Sequence, residues 1–313
     1  MQVAAALNCP VSALTRLHGG GNSRLYRATL ADGRSVAVKS YPATSTDTRN
    51  RLDTEFNALT FLRGNGETEI PYALARNDAI RIGIYEWVNG EPACANLAAI
   101  NWMAGFCSRL FRLKGAPGAL NLRLASEACL SADDLSFQIS RRLARLMEIR
   151  GDTELSDFLR LDLQPAVARL RLNFAAPRPE HWTLSPSDFG THNMLLRDDA
   201  PVFLDMEYFG WDDPVKLTAD VIWHPGMNLP PAFGLQFIRQ MREIHSGADK
   251  DFQHRLDVTL PAYGLRWTLI VLNEFLPERW AVRFHARRQD QSASKARQLS
   301  KARTLLTRVN ELF

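Results

Sequence analysis

Hydrophobic and polar positions alternate along the first quarter of the chain and then change period. Two strand-like runs flank a glycine-rich turn within Leu17 to Arg27, and after the tight Asp32-Gly33 turn the segment Arg34 to Lys39 (RSVAVK) alternates with period two. Leu52, Phe56, Leu59 and Leu62 then fall at helical spacing and leave Glu55 beside their stripe. Arg81 to Val88 reads as a β-branched strand running into the polar turn Asn89-Gly90. Beyond it the period is helical. Ile100, Met103, Phe106, Leu110 and Leu113 mark one helix over Leu97 to Leu113, with others over Asp134 to Ile149 and Glu154 to Leu172. Three more follow, around Ala232 to Ile244, Pro261 to Leu276 and Ser294 to Leu312. Pro165 either breaks the third helix or opens a new one, since proline is tolerated only in a first turn. The pattern predicts an α+β chain in two lobes: a small antiparallel-sheet lobe with one helix over residues 1–88, and a larger, mostly helical lobe over 89–313.

Composition narrows the class. With 313 residues and 46% hydrophobic content, the chain can build one large or two modest cores. Cys9, Cys94, Cys107 and Cys129 have neither metal-ligand nor disulfide-framework spacing and read as reduced thiols. No apolar run approaches the ~20 residues that span a bilayer, and Met1 to Leu17 lacks a signal-like core, so a cytoplasmic protein is expected.

The richest stretch for chemistry is Leu184 to Glu207 (LSPSDFGTHNMLLRDDAPVFLDME): an Asp, an Asn five residues later, and an Asp closing an apolar run. In kinase-like folds that pattern holds a substrate hydroxyl beside a magnesium nucleotide. Asp188 would be the base that accepts the hydroxyl proton, with Asn193 and Asp205 as oxygen ligands for Mg²⁺. Asp188-Phe189-Gly190 also spells the metal-binding triplet of protein kinases. That reading fails because Ala168 to Trp182, where an upstream catalytic Asp should lie, contains none.

Four further matches come in the expected order. The turn containing Gly20, Gly21, Asn22 and Ser23 could lay backbone N–H groups on phosphates. The strand ending in Lys39 is like the V-A-I-K strand of a phosphate-binding lysine, and Glu55 is placed to anchor its ammonium group. Tyr85, Glu86, Trp87 and Val88 form a hinge whose backbone could read an adenine edge. Taken together, GGGNS, VAVK, a helical Glu, YEWVNGE, SDFGTHN and LDMEYFGWDDP resemble the aminoglycoside phosphotransferase and choline kinase superfamily over Leu17 to Val221. The resemblance implies a protein-kinase-like fold and an ATP- and Mg²⁺-dependent phosphotransferase. In it Asp188 is the base, Asn193 and Asp205 bind Mg²⁺, Lys39 and Glu55 serve the phosphates, and Asp213-Pro214 is a structural turn. Two positions depart from the family pattern. Pro186-Ser187 replace the usual His-Gly before the catalytic Asp, and Leu217 replaces an Asp, with Asp220 a turn further on.

The acceptor is expected to be a small-molecule hydroxyl. From Leu229 to Phe313 fourteen Lys and Arg face eight Asp and Glu, which favours a neutral or anionic sugar or metabolite over a polycationic aminoglycoside. A substrate pocket is expected between these C-terminal helices and the catalytic loop, with Trp223, His224 and Glu274 as candidate contacts. Two other classes fit some of the residues. One is a nucleotide-binding pseudokinase scaffold, suggested by the missing His. The other is a nucleic-acid or anionic-partner module built on Arg279, Trp280, Arg283, Arg287 and Arg288, against which a net charge of only +4 argues.

Overall fold

Antiparallel pairing absorbs the period-two segments. The structure is a computed structural model that describes residues 4, 7, 9–17, 23–41, 49–278 and 291–312. Strands β1 (Val11–Arg16), β2 (Arg24–Leu30), β3 (Ser35–Ser40), β4 (Ala73–Asn77) and β5 (Ile82–Glu86) form one antiparallel sheet in the order β1-β2-β3-β5-β4. Alternation sends Val36 and Val38 into a core with Ala28, Leu30, Ile82 and Ile84. Ala37 and Lys39 therefore point to the opposite face. The register pairs Ala37 with Tyr85 and Lys39 with Gly83, so Lys39 and Tyr85 share that face. Gly83 makes room there: a Cβ on it would lie 2.2 Å from the Tyr85 hydroxyl.

Helix α1 (Arg51–Gly64) is capped by Asn50, whose side chain accepts from the Asp53 N–H, and it buries Leu52, Glu55, Leu59 and Leu62. Glu55 lies within the buried face, not beside it. Strand β6 (Glu91–Pro92) pairs with β8 (Met194–Arg197), which pairs with β9 (Ala200–Phe203). Helix α2 (Leu97–Leu113) and the short strand β7 (Thr183–Ser185) complete this compact unit, which comprises Met1–Glu127 and Thr183–Trp211. Inside it Phe106, Phe189 and Phe203 stack with centroids 4.4 to 5.8 Å apart.

Among the described residues, the second unit, Ala128–Trp182 with Asp212–Phe313, holds helices α3 (Ala132–Met147), α4 (Thr153–Asp157), α5 (Gln164–Ala168), α6 (Pro214–Trp223), α7 (Pro231–His245), α8 (Phe252–Val271) and α9 (Gln291–Asn310). Two boundaries differ from the periodicity. The helix expected over Glu154 to Leu172 is α4, a π-helical stretch Phe158–Leu163, and α5. Pro165 sits in the first turn of α5, where its missing N–H costs least, and the wider π turn joins the two helices. The helix expected to begin at Pro261 instead runs through it, starting at Phe252 and continuing into a 3₁₀ turn at Leu272–Phe275. Burial of nearly every residue from Thr259 to Leu269 compensates the lost backbone bond.

Helix α6 begins at the expected Asp213-Pro214 turn. Asp213 caps it through the Val215 N–H, Pro214 takes its first turn, and Arg255 donates to both Asp213 carboxylate oxygens and to Asp249. Next to it lies a closed ionic cluster. Lys216 reaches Asp212 at 2.8 Å and Asp220 at 3.0 Å, and Asp220 also accepts from Arg266 (3.0 Å) and the Trp267 indole (2.7 Å). Burial pushes the Asp212 carboxyl up to about 6 against the pull of Lys216, whereas Lys216 and Arg266 together overcome burial and lower Asp220. Trp223 is buried with its indole N–H on the Leu260 carbonyl, His224 packs edge-on against Trp267, and Glu274 is buried. No helix among the described residues is long and apolar enough to cross a membrane.

Candidate active site

Lys39, Glu55, Asp188, Asn193 and Asp205 all lie in the first unit. Three segments deliver the centre of the site: β3 brings Lys39, α1 brings Glu55, and the stretch after β9 brings Asp205 and Glu207. The Lys39 ammonium nitrogen stands 2.6 Å from Asp205 Oδ1, 2.7 Å from Glu55 Oε2 and 3.2 Å from Glu207 Oε2. Lys39 and Glu55 are nearly inaccessible, while the Asp205 side chain is 33% exposed. The contact between Lys39 and Glu55 is thus a buried ion pair and not a solvated helix charge.

Electrostatics follow from that packing. Burial alone would lower the Lys39 pKa, but Asp205, Glu55 and Glu207 reverse the effect and hold it well above the usual lysine range. Burial raises Glu55 to about 7 against the pull of Lys39, and it raises Asp205 as well. The Tyr41 hydroxyl donates to the Glu55 oxygen that also receives Lys39, at 2.5 Å, and lies 2.8 Å from the Tyr85 hydroxyl. Burial, reinforced by Glu55, pushes both phenols up, so they stay protonated and available as donors.

The catalytic-loop candidates are held just as specifically. After β7, Ser187 has φ 67°, a left-handed conformation uncommon for a residue with a Cβ. Its N–H donates to Ser185 Oγ (3.1 Å), its hydroxyl donates to the Ser126 carbonyl (3.0 Å), and the Asp188 N–H bonds the Pro186 carbonyl (2.9 Å). Phe189 drops into the aromatic cluster and anchors the far side. The 3₁₀ turn Thr191–Asn193 then brings the Asn193 amide nitrogen to the Asp188 carbonyl (2.9 Å) and His192 Nε2 to Asp188 Oδ1 (3.1 Å). The Leu204 N–H bonds the Asn193 carbonyl at 2.8 Å, linking this turn to the residue before Asp205. Asp205 itself has φ 62°, so it turns out of the strand direction toward Lys39.

At the segment expected to be a hinge, Glu86 spends its carboxylate on structure: Oε1 accepts from Arg197 (2.8 Å) and Oε2 from the Tyr72 N–H (3.1 Å), with Arg63 at 3.6 Å. Its N–H is taken by the Tyr72 carbonyl. Trp87 lies under the Arg27 guanidinium at 4.8 Å, its indole N–H on Asn89, and Val88 is buried. Ser23 is partly buried at the mouth of β2, while Gly20, Gly21 and Asn22 lie outside the described residues. So do Arg279, Trp280, Arg283, Arg287 and Arg288.

Sequence reasoning did not assign Glu207, Arg51, Tyr41 or His192. Glu207 is buried between Lys39 and Arg51, which lies 3.4 Å from its Oε1. One signal existed for Arg51: a cation in the first turn of a helix opposes the macrodipole, so its place needs another reason. For Tyr41 the two-residue spacing after Lys39 was the only hint. Asp220, whose bracing role was open, pairs with Lys216, Arg266 and Trp267.

No protein-family model matches the sequence, and no curated protein matches it. Solved structures do resemble it in fold. A choline/ethanolamine kinase family protein from Mesorhizobium loti superposes with a TM-score of 0.58 at 17% identity, covering 96% of this chain and 92% of that one. For a fructosamine-3-kinase homologue from Thermobifida fusca the values are 0.55, 16%, 98% and 97%. The ternary complex of streptomycin, ATP and APH(2")-IIa gives 0.57 at 17% identity, with 86% and 87% covered. The fold is the protein-kinase-like one of these small-molecule kinases, as the motif order implied.

Proposed function

We propose that the protein is an ATP- and Mg²⁺-dependent phosphotransferase that phosphorylates a hydroxyl of a small molecule. The observation that carries this reading is the convergence of Lys39, Glu55 and Asp205 from three separate elements, with Asp188 and Asn193 on a braced loop beside them. Glu55 and Tyr41 hold the Lys39 ammonium so that it can meet nucleotide phosphates without losing its place. The hinge would read the base through its backbone, with Glu86 contributing its carbonyl since its N–H is already bonded. In this reading residues 1–88 form the nucleotide lobe and 89–313 the lobe with the catalytic loop and acceptor pocket.

The donor set suits magnesium. Asp205 and Asn193 offer hard oxygen atoms, and the carboxyl groups of Glu55, Asp205 and Glu207 lie within 4.8 Å of one another. Asn193 and Asp205 would hold the ion, which when bound supplies neutralisation of the charge on the phosphate oxygens. Asp188 orients the acceptor hydroxyl and takes its proton as the oxygen attacks the γ-phosphorus and ADP leaves. Placement and electrostatics provide most of the acceleration.

For the acceptor we favour a neutral or anionic sugar or metabolite. Of the fourteen C-terminal cations, Arg255 and Arg266 are already bound to buried carboxylates, so the argument rests on the others. The cytoplasm is the compartment this chemistry suits. The test is calorimetric titration of ATP, with and without Mg²⁺, into the wild type and Asp205→Ala, followed by ADP release across neutral sugars, sugar phosphates and amino sugars. Magnesium-dependent binding that weakens in Asp205→Ala, with release stimulated by one acceptor class, is expected. Binding without release under any acceptor supports the scaffold reading, and absence of nucleotide binding rejects both.

A further inference from the structure

The catalytic-loop candidate is gripped on both sides, and two of the residues that grip it, Ser187 and His192, have no role in the motif order. Before Asp188, the left-handed Ser187 is secured by its hydroxyl on the Ser126 carbonyl and by its N–H on Ser185 Oγ. After it, one 3₁₀ turn supplies two neighbouring side chains: Asn193 binds the Asp188 backbone carbonyl and His192 binds the Asp188 carboxylate. The main chain of Asp188 is thus pinned through both its N–H and its C=O. Its side chain is 35% exposed and has two rotatable bonds, so packing alone does not orient it. An ionised carboxylate only accepts, so His192 Nε2 carries the hydrogen and donates it to Oδ1. The bond spans four residues within the same loop.

We infer that His192 is a positioning residue for Asp188: it holds Oδ1 so that the carboxylate presents a fixed face to the incoming hydroxyl. Together with Ser187 it does the bracing that the His-Gly pair expected at residues 186 and 187 would otherwise supply. The inference rests on the phosphotransferase reading of the same site. Its energetic basis is orientation, because a base displaced by about 1 Å can lose ~100-fold in rate while the substrate still binds.

The experiment uses the full chain and Mg-ATP with water as the phosphoryl acceptor, so no substrate need be known. Turnover, KM and Mg-ATP affinity are measured for wild type, His192→Ala, His192→Gln and Asp188→Ala, with thermal melts of each. His192→Ala is expected to lower kcat about tenfold or more, with KM, calorimetric Kd and melting temperature nearly unchanged. His192→Gln keeps an N–H within reach of Oδ1 and should recover most of the rate, a rescue that a purely structural residue would not give. The inference is overturned if His192→Ala turns over like wild type while Asp188→Ala does not, or if His192→Gln is as slow as His192→Ala. A wild type that neither binds nor hydrolyses Mg-ATP removes the phosphotransferase reading itself, and this inference with it.

Discussion

Lys39 and Lys216 are both buried ammonium groups held by carboxylates, one in each compact unit. Lys216 takes Asp212 and Asp220 from positions four residues either side, on or next to its own helix, and Arg266, Gln138 and Trp267 close the cluster. Two cations face two carboxylates, and each side chain is almost wholly buried. Around Lys39 three carboxylates face one ammonium and one guanidinium, and Asp205 remains a third exposed. The first arrangement is satisfied by itself. The second keeps one carboxyl group, Asp205, open to solvent beside the buried ammonium, where a cation and the phosphates it accompanies can be reached. Burial of a lysine is therefore uninformative until the balance and accessibility of its partners are known.

Removing each lysine tests that difference most strongly. Lys216→Met should destabilise the protein by about 3–5 kcal/mol in denaturant unfolding, because the buried Asp212 loses its cation and Asp220 keeps only Arg266. Lys39→Met should abolish phosphoryl transfer but cost clearly less stability, since Asp205 reaches water and Glu55 can take up a proton. Equal stability losses would erase the comparison.

Both clusters also contain a carboxyl group whose pKa burial has raised, Glu55 to about 7 and Asp212 to about 6. The sign is opposite to ordinary acid denaturation. Between the unfolded value near 4.5 and about 7, folded Glu55 keeps a proton that the unfolded chain has released, so its ionisation lowers stability as pH rises through that window. Glu55→Gln should therefore flatten the fall in unfolding free energy between pH 5 and 7. An unchanged slope would mean that Glu55 is ionised throughout.

The smallest expected effect separates the clusters by their hydroxyl partners. Tyr41→Phe removes the hydroxyl that donates to Glu55 and accepts from Tyr85, and should cost about 1–3 kcal/mol of stability. If Tyr41 also steadies Lys39 through Glu55, the variant will raise KM for Mg-ATP while leaving the fold intact by circular dichroism. An unaltered KM would limit Tyr41 to a packing role.

Much of the fold was legible because its signals are local. Alternation from Arg34 to Lys39 and helical spacing from Leu52 to Leu62 required only the period of the chain, and they located β3 and α1. Proline was the weak point. At Pro165 a π turn and a new first turn absorbed it, and at Pro261 a fully buried helix ran through it, and neither outcome depends on neighbouring sequence alone. In the site, Lys39, Glu55, Asp188, Asn193 and Asp205 were recognisable from order and spacing, and the structure brings Lys39 into contact with Glu55 and Asp205, and Asn193 with Asp188. Glu207, Arg51 and Tyr41 were not, because single acidic, basic and aromatic residues occur everywhere and acquire meaning only from what they touch.

The sequence by itself determined which segments alternate, which wind into helices, and which chemical groups occur in the order of a kinase-like site, since these are properties of neighbouring residues. Tertiary structure alone decided that Glu55 faces inward and that residues as far apart as 39 and 205 share one ammonium. It also decided that Asp212, Lys216 and Asp220 are sealed while Asp205 meets water. Charge balance and solvent access are set by packing among distant segments, and those quantities turn one buried lysine into a strut and the other into a candidate for holding phosphate.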